Sequence, residues 1–201
     1  MCEALIAGEN KLEVLEIGRN RLENKGAKAL AEVLTAKKTF VKLNVQQNGI
    51  KKEGIIELLK SIRDNKNLEE LYLNDNWVKG EEAMVLLDDI IRACKNLRVL
   101  NLSDNNIGDA STKKLFEILE KHGDVLEELY YNYNELEQEN VIKECIEIAS
   151  KLPKLKVLEM EGNGIPKEII EEYEDELKEK GITYKLRAED EDEEDDEGED
   201  D

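Results

Sequence analysis

The sequence predicts an α/β fold, a right-handed horseshoe with short parallel strands on its inner side and helices on its outer side. The first observation is an apolar phrase ending in asparagine, which recurs six times with a period of 28 or 29 residues. The second is a stretch with helical spacing between consecutive phrases, as in KKEGIIELLKSIRD and STKKLFEILEKHG. Parallel neighbouring strands need a crossover connection, and such crossovers are right-handed.

The recurring phrase fits L-x-x-L-x-L-x-x-N-x-L, which is a leucine-rich repeat of the long kind. Alternating apolar residues such as Leu100 and Leu102 predict a short strand with one face inward. One repeat cannot bury its own apolar face, so the copies must stack, and the stack presents a curved surface suited to binding. The six copies begin at Leu12, Phe40, Leu68, Leu97, Leu126 and Leu155, and their asparagines are Asn20, Asn48, Asn76, Asn105, Asn134 and Asn163.

The two ends of the chain follow the same pattern. Eighteen residues before each asparagine lies one core-facing helix position, at Cys2, Leu30, Leu58, Leu87, Phe116 and Cys145. Residues 1–8 are therefore typical of the end of a preceding repeat's helix, and we expect that the chain continues a longer solenoid or that a partner covers this end. Pro166 predicts the start of a last helix and Ile182–Leu186 a last strand. The solenoid is predicted over residues 1–187, with a cap at about 166–187.

An abrupt change in composition follows the predicted cap. Twelve of the thirteen residues from Glu189 to Asp201 are acidic, and the whole chain carries a net charge of −20. We expect residues 188–201 to be a disordered acidic tail, which either keeps the chain soluble or attracts a basic partner. The net charge argues against nucleic acid and against an anionic membrane surface as partners. No signal peptide or long apolar run is present, which favours a cytoplasmic or nuclear location.

Few residues of this sequence suggest chemistry. The three cysteines are predicted to be small buried side chains, with Cys94 the least certain of them. The single histidine, His122, falls at a predicted helix end. No cysteine pair has zinc spacing, and no glycine-rich loop carries a phosphate-binding lysine. The sequence therefore predicts no enzyme, metal or cofactor, and its function is expected to lie in surface recognition.

The repeats indicate which surfaces could recognise a protein. Just before each asparagine lies a loop-edge position, occupied by Arg19, Gln47, Asp75, Asp104 and Tyr133. The asparagines themselves are interpreted as structural, because their side chains commonly bond backbone groups in turns. A further row, placed at the strand centres, is either a recognition surface or ordinary solvated strand surface: Glu16, Asn44, Tyr72, Asn101, Tyr130 and Glu159.

Several strings are more specific than the repeat frame. They are GRNRLEN at Gly18–Asn24, QNGI at Gln47–Ile50, LNDN at Leu73–Asn76, YNELE at Tyr133–Glu137 and LEMEGN at Leu158–Asn163. With the acidic tail, these strings resemble the GTPase-activating proteins for Ran, the nuclear-transport GTPase. The resemblance covers essentially all of this chain but only about the C-terminal half of that family's repeat domain.

The resemblance implies a partner and a set of contacts. The partner would be a Ran-type small GTPase in its GTP form, met in the cytoplasm or at the nuclear envelope. In that family the GTPase's own glutamine orients the attacking water, helped by an asparagine and an arginine from more N-terminal repeats that this sequence does not contain. Arg19, Arg21 and Asp75 would be supporting contacts. Arginine can donate two parallel hydrogen bonds to a carboxylate or to backbone carbonyls, and Asp75 would pair with a lysine or arginine of the partner. With Gln47, Asp104 and Tyr133 they form the predicted partner-binding set.

Two alternatives remain open at this stage. Arg19 and Asp75 occupy equivalent positions in different repeats, so they could pair across the loops and merely stiffen the edge. The chain could also be a non-catalytic acidic leucine-rich-repeat protein of the histone-chaperone or phosphatase-inhibitor type. The period of 28 or 29 residues, with a full helix, favours the longer repeats of the ribonuclease-inhibitor style instead.

Overall fold

The computed structural model describes residues 2–8 and 11–187, which form a seven-stranded parallel sheet with a helix between each pair of neighbouring strands. The strands lie side by side in chain order, from β1 to β7. The α/β leucine-rich-repeat solenoid predicted from the period is therefore confirmed. The predicted disordered tail at 188–201 and the side chain of Cys2 lie outside the described residues.

Each repeat contributes one three-residue strand and one longer helix. The strands are β1 Val14–Glu16, β2 Lys42–Asn44, β3 Glu70–Tyr72, β4 Val99–Asn101, β5 Glu128–Tyr130, β6 Val157–Glu159 and β7 Thr183–Lys185. The helices are α1 Cys2–Ala7, α2 Glu23–Ala36, α3 Lys52–Ile62, α4 Glu81–Ala93, α5 Asp109–His122, α6 Glu139–Lys151 and α7 Lys167–Glu179. The last helix begins directly after Pro166, whose fixed φ suits a helix start.

The strand register places one leucine of every repeat at the centre of the sheet. Leu43 pairs with Leu71, Leu71 with Leu100, and so on to Leu158. These leucines have no exposed surface, whereas Leu15 at the first strand is only half-buried. The flanking residues of each strand face the inner surface, so the row from Glu16 to Glu159 occupies the last residue of each strand. The row was expected at the strand centre, and it lies at the strand end because each strand is only three residues long.

The helices pack their apolar faces on the other side of the sheet. The helix position eighteen residues before each asparagine was predicted to face the core. It is at most 3% exposed in Leu30, Leu58, Leu87, Phe116 and Cys145. In the fifth repeat Tyr131 replaces an expected leucine, and its ring packs edge-on against Phe116 with centroids 5.7 Å apart. Its hydroxyl lies 2.6 Å from the Thr112 hydroxyl, so the buried polar end has a partner. Burial strongly raises the pKa of Tyr131.

Two cysteines behave as the sequence predicts. Cys94 and Cys145 are buried free thiols. Burial raises the pKa of Cys94 to about 11 and that of Cys145 further still. The Cys94 thiol donates a hydrogen bond of 3.1 Å to the carbonyl of Asn65. Both side chains are therefore packing residues, because a thiolate at neutral pH would be needed for reactivity.

Candidate functional site

The motif asparagines link each loop to its neighbour. Asn48 shows the pattern: its side-chain oxygen accepts from the backbone N–H groups of Asn20 and Leu22, at 2.9 and 3.3 Å. Its side-chain nitrogen donates to the carbonyl of Ile17 in the preceding repeat and to the carbonyls of Val45 and Gln46 in its own. One side chain therefore fixes the turn of its own repeat and holds the loop of the repeat before it.

The same arrangement recurs through the stack. The oxygens of Asn76, Asn105, Asn134 and Asn163 each accept from the preceding loop, and their nitrogens each donate to three carbonyls. All four are buried. The prediction that these asparagines are structural is therefore confirmed. Asn20 differs, because it is exposed and donates only to the carbonyls of Ile17 and Gly18 within its own turn.

The residues just before the motif asparagines form a row along the loops, which we call the loop-edge row. It has a left-handed backbone in all six repeats, with φ between 50° and 66°. From the first repeat to the fifth, its N–H donates to a carbonyl of the next repeat at 2.7 to 3.0 Å. The row is Arg19, Gln47, Asp75, Asp104, Tyr133 and Gly162. The hydrogen bonds to the next repeat hold the backbone of this row in its left-handed conformation, so its side chains project from rigid positions.

The structure brings five of the six predicted contact residues into this one row. Arg19, Gln47, Asp104 and Tyr133 are exposed and Asp75 is half-buried. Strand spacing of about 4.8 Å gives the row from the first to the fifth repeat a length of about 19 Å. A row of this length on one edge is suited to contact with a folded protein.

Arg21 lies beside the row rather than in it. It follows Arg19 by two residues, also has a left-handed backbone (φ 52°), and is exposed. Together with Gln47 and Lys51 it lines an open groove of about 660 Å³ between the loops of the first two repeats. Glu23 lines the same groove, so the groove contains one carboxylate as well as its basic groups.

Charge on the row changes along its length. The charge of Asp75 contributes to a raised pKa of the Asp104 carboxyl, although partial burial is the larger cause. Within the described residues neither Arg19 nor Asp75 forms an ion pair, so the alternative that they pair across the loops is not realised. The row therefore runs from a cationic start through two neighbouring carboxylates to an aromatic ring.

Tyr133 is held in place by a glycine of the next repeat. An added Cβ at Gly162 would lie 2.2 Å from Cδ1 of the Tyr133 ring, and Gly162 has φ 66°. Only a residue without a side chain fits under the ring at this position. The ring is 52% exposed even so, and it offers rigid apolar area for a contact.

Sequence reasoning missed a second group of loop residues. Trp77, one residue after Asn76, is 43% exposed. The amino group of Lys79 lies 5.0 Å from the centre of its ring and that of Lys51 lies 5.7 Å away. A signal was present in the sequence, because the equivalent positions in the other repeats are Arg, Gly, Asn, Glu and Gly. A large aromatic side chain there has no core to enter.

The inner face of the sheet is largely occupied by its own contacts. The hydroxyls of Tyr72 and Tyr130 donate to Glu70 and Glu128 of the same strands, at 3.2 and 2.8 Å. Lys42 lies 2.7 Å from Glu16 and 3.5 Å from Glu70. A hydrogen bond to Glu16 is the main cause of the raised pKa of Lys42. These internal contacts favour the solvated-strand interpretation of this face.

The described residues contain no arrangement that indicates chemistry. Across 2–8 and 11–187, no group of three or more His, Cys, Asp or Glu side chains is placed to hold a metal ion. His122 is half-buried, with its Nε2 3.9 Å from a carboxylate oxygen of Asp88. In the same residues, no helix has the length and apolar character needed to cross a membrane.

Comparison with known proteins supports the repeats and points to a class of relatives. A model of two leucine-rich repeats matches residues 66–115, and a single leucine-rich-repeat model matches 9–31 and 36–59. Ran GTPase-activating protein 1 of Saccharomyces cerevisiae is 33% identical over 159 residues, which is 77% of this chain and 39% of that protein.

Two further relatives are more distant. RAN GTPase-activating protein 2 of Arabidopsis thaliana is 27% identical over 124 residues, or 61% of this chain and 23% of that protein. The ribonuclease inhibitor of Mus musculus is 29% identical over 144 residues, or 69% of this chain and 31% of that protein. The chain spans less than two fifths of the length of each of these three relatives. Its similarity to them therefore concerns a part of the repeat architecture.

Proposed function

We propose that this chain recognises a Ran-type small GTPase in its GTP form through the loop-edge row, as a regulatory protein of the GTPase-activating kind. The observation that carries the proposal is the 33% identity to the yeast Ran GTPase-activating protein 1 across 77% of the chain. A cytoplasmic location, including the outer side of the nuclear envelope, belongs to the same proposal.

The geometry of the loop edge supports recognition by contact rather than by chemistry. Arg19 and Asp75 project from backbone whose N–H groups donate to carbonyls of the next repeat, so little backbone entropy is lost when a partner binds, and Arg21 lies beside them. Arg19 and Arg21 can each donate to carboxylates or carbonyls of the partner in a paired geometry. Asp75 and Asp104 would meet basic groups, and such complementary charges raise the association rate.

The test is a pair of measurements on a Ran-type GTPase. Binding of this chain to the GTP-loaded and GDP-loaded forms is measured by titration, and single-turnover GTP hydrolysis is followed with this chain in excess. We expect binding that prefers the GTP form. We expect little acceleration, because the residues that assist the attacking water in the family lie in repeats absent from this sequence.

Matched variants separate contact from fold. Arg21→Ala and Asp75→Ala should each weaken binding about 5- to 100-fold, which corresponds to about 1–3 kcal/mol. Arg63→Ala is the control, because Arg63 is exposed at the C-terminal end of α3, away from the loop edge. Equal binding of both nucleotide forms, or equal loss in all three variants, would contradict the proposal. Rapid hydrolysis would show that these six repeats contain a working activating site.

The acidic composition favours a second candidate, a non-catalytic interaction protein with a basic partner such as a histone. Binding of that kind would depend on residues 189–201 and would fall steeply with salt, since it rests on exposed charge. It would not depend on nucleotide, nor on Arg21 or Asp75. The same titrations, run with a histone at two salt concentrations, therefore separate the two candidates.

A further inference from the structure

The loops of the first three repeats carry a basic and aromatic surface, which we call the basic patch: Arg21, Lys51, Lys52, Trp77 and Lys79. Lys51 and Lys79 flank the exposed ring of Trp77. The amino group of Lys52 lies 3.6 Å from the Cβ position of Gly80, the residue after Lys79. Arg21 and Lys51 also line the groove between the first two loops. The patch is thus continuous from the groove to the tryptophan.

The cations of the basic patch lack carboxylate partners. Among the described residues none of its four basic side chains forms an ion pair within 4 Å. Carboxylates lie nearby in two places: Glu23 lines the groove with Arg21, and Glu53, Glu57 and Glu82 line a second groove with Lys52. Glu53 accepts from the side chain of Asn24, and this bond and its backbone hydrogen bond outweigh Lys52 and Lys51 in lowering its pKa. Positive charge therefore remains available on a chain with a net charge of −20.

Charge along the loop edge is strongly polarised. Counting from two residues before each motif asparagine to five after it, the first three loops carry six basic and four acidic residues, or +2. The last three loops carry one basic and seven acidic residues, or −6. An anionic ligand is therefore attracted to the first three loops and repelled by the last three.

The acidic segment of the same chain starts from the same edge. All strands are parallel, so their C-terminal ends share one edge with the six loops. Arg187 follows the last strand by two residues, and fourteen residues come after it in the sequence. A segment of that length can span up to about 46 Å. The distance from β7 back to β2 is about 24 Å at a strand spacing of about 4.8 Å.

We propose that the basic patch is the docking site for residues 188–201 of this chain. The twelve carboxylates of 189–201 meet the lysines and Arg21, while repulsion from the last three loops directs the segment across the stack to the first three. The docking does not rest on the proposed function. Its consequence does: the docked segment covers Arg21 and lies beside Arg19 and Asp75, so it competes with the GTPase for the loop edge.

The single tryptophan of the chain provides the test. An acceptor dye is attached at Gly198→Cys in the full chain, with Cys2→Ser so that the buried Cys94 and Cys145 are the remaining thiols. Energy transfer from Trp77 is then measured at about 20 mM and about 500 mM salt, where screening differs strongly. We expect transfer to be at least twofold higher at low salt and independent of protein concentration.

Two charge variants locate the site. Lys51→Gln/Lys52→Gln should lower the low-salt transfer to the high-salt level while leaving Lys79 on the ring. Lys113→Gln/Lys143→Gln, which removes two exposed cations from the outer helices, should leave the transfer unchanged. Docking within one chain would be overturned by any of three results: energy transfer that does not change with salt, transfer that falls equally in both variants, or transfer that rises with protein concentration.

A final arm separates this inference from the proposed function. A GTP-loaded Ran-type GTPase, added at saturation, should lower the transfer by displacing the segment. If transfer shows the salt and variant dependence but the GTPase neither binds nor lowers it, the docking stands and the proposed function fails. If the GTPase binds while transfer stays low and independent of salt, the docking fails and the proposed function stands.

Discussion

The motif asparagine and the residue just before it are chain neighbours with opposite roles. Asn105 is fully buried and bonds four backbone groups, whereas Asp104 is exposed and its side chain leaves the solenoid. The left-handed backbone at Asp104 separates the two directions. Because the asparagine takes over the hydrogen bonding of the turn, the preceding side chain is free to vary. That explains how arginine, glutamine, aspartate, tyrosine and glycine can occupy one structural position.

The strongest test of this division of roles is the replacement of a buried asparagine. Asn105→Ala leaves the buried N–H of Val78 without its partner and removes one of the two bonds that each of the carbonyls of Leu73, Leu102 and Ser103 accepts. One unsatisfied donor and three lost bonds should lower the free energy of unfolding by about 2–4 kcal/mol, measured by urea denaturation. Leu100→Ala is the reference for a buried leucine and should cost about 2–5 kcal/mol. A cost below about 1 kcal/mol for Asn105→Ala would refute the structural role.

A smaller effect is expected at the glycine beneath Tyr133. Gly162→Ala meets both an unfavourable φ and the ring, and should cost about 1–3 kcal/mol. Gly164→Ala is a matched control, since its φ is 60° and nothing lies within 4 Å of its Cβ position. The difference between the two melting temperatures isolates the contact with Tyr133. Equal losses would mean that the ring simply moves aside.

For an exposed loop residue, in contrast to a buried asparagine, we expect almost no change in stability. Arg21→Ala removes an exposed side chain that contributes nothing to the core, so the free energy of unfolding should change by less than about 0.5 kcal/mol. Binding of the GTPase should weaken all the same. If Arg21→Ala lowers the melting temperature as much as Leu100→Ala, the loop has a structural role and the contact assignment is wrong.

The smallest effect concerns pH. Burial and the charge of Asp75 raise the pKa of Asp104 in the folded chain, so folding favours its protonated form. Its contribution to stability is present below the ordinary aspartate pKa of about 3.9 and is lost as pH rises through the higher folded value. Asp104→Asn should therefore melt slightly higher than the native chain at pH 7 and equally at about pH 3.

The period of the sequence was sufficient to predict the strands, the helices and the core. Leu58, Leu87 and Phe116 follow from a count of eighteen residues, because a stacked repeat places equivalent side chains in equivalent environments. The left-handed backbone of the loop-edge row could not be predicted in this way. Gly162 carries a clear local signal for positive φ and Asp75 and Asp104 a weaker one, whereas Arg19 and Tyr133 carry none.

The candidate site was predictable only in part, for a related reason. The loop edge is visible from the repeat, but the approach of Lys51 to Trp77 depends on how neighbouring loops stack. Contacts between residues 26 or more positions apart are set by the distance between repeats, which no local pattern contains. Arg19 and Asp75, the pair considered as an alternative, belong to repeats two apart, which puts about 10 Å between their loops at the strand spacing.

Each motif asparagine holds the loop of the repeat before it, so the hydrogen bonds between loops run in one direction along the stack. This matters for transplanting loops between proteins. The oxygen of Asn134 receives the N–H groups of Asn105 and Ile107, so the fourth loop takes its shape from a residue of the fifth repeat. A binding loop cut out at the boundaries of its own repeat would leave that template behind. The smallest portable unit of this surface is therefore a loop together with the strand and asparagine that follow it.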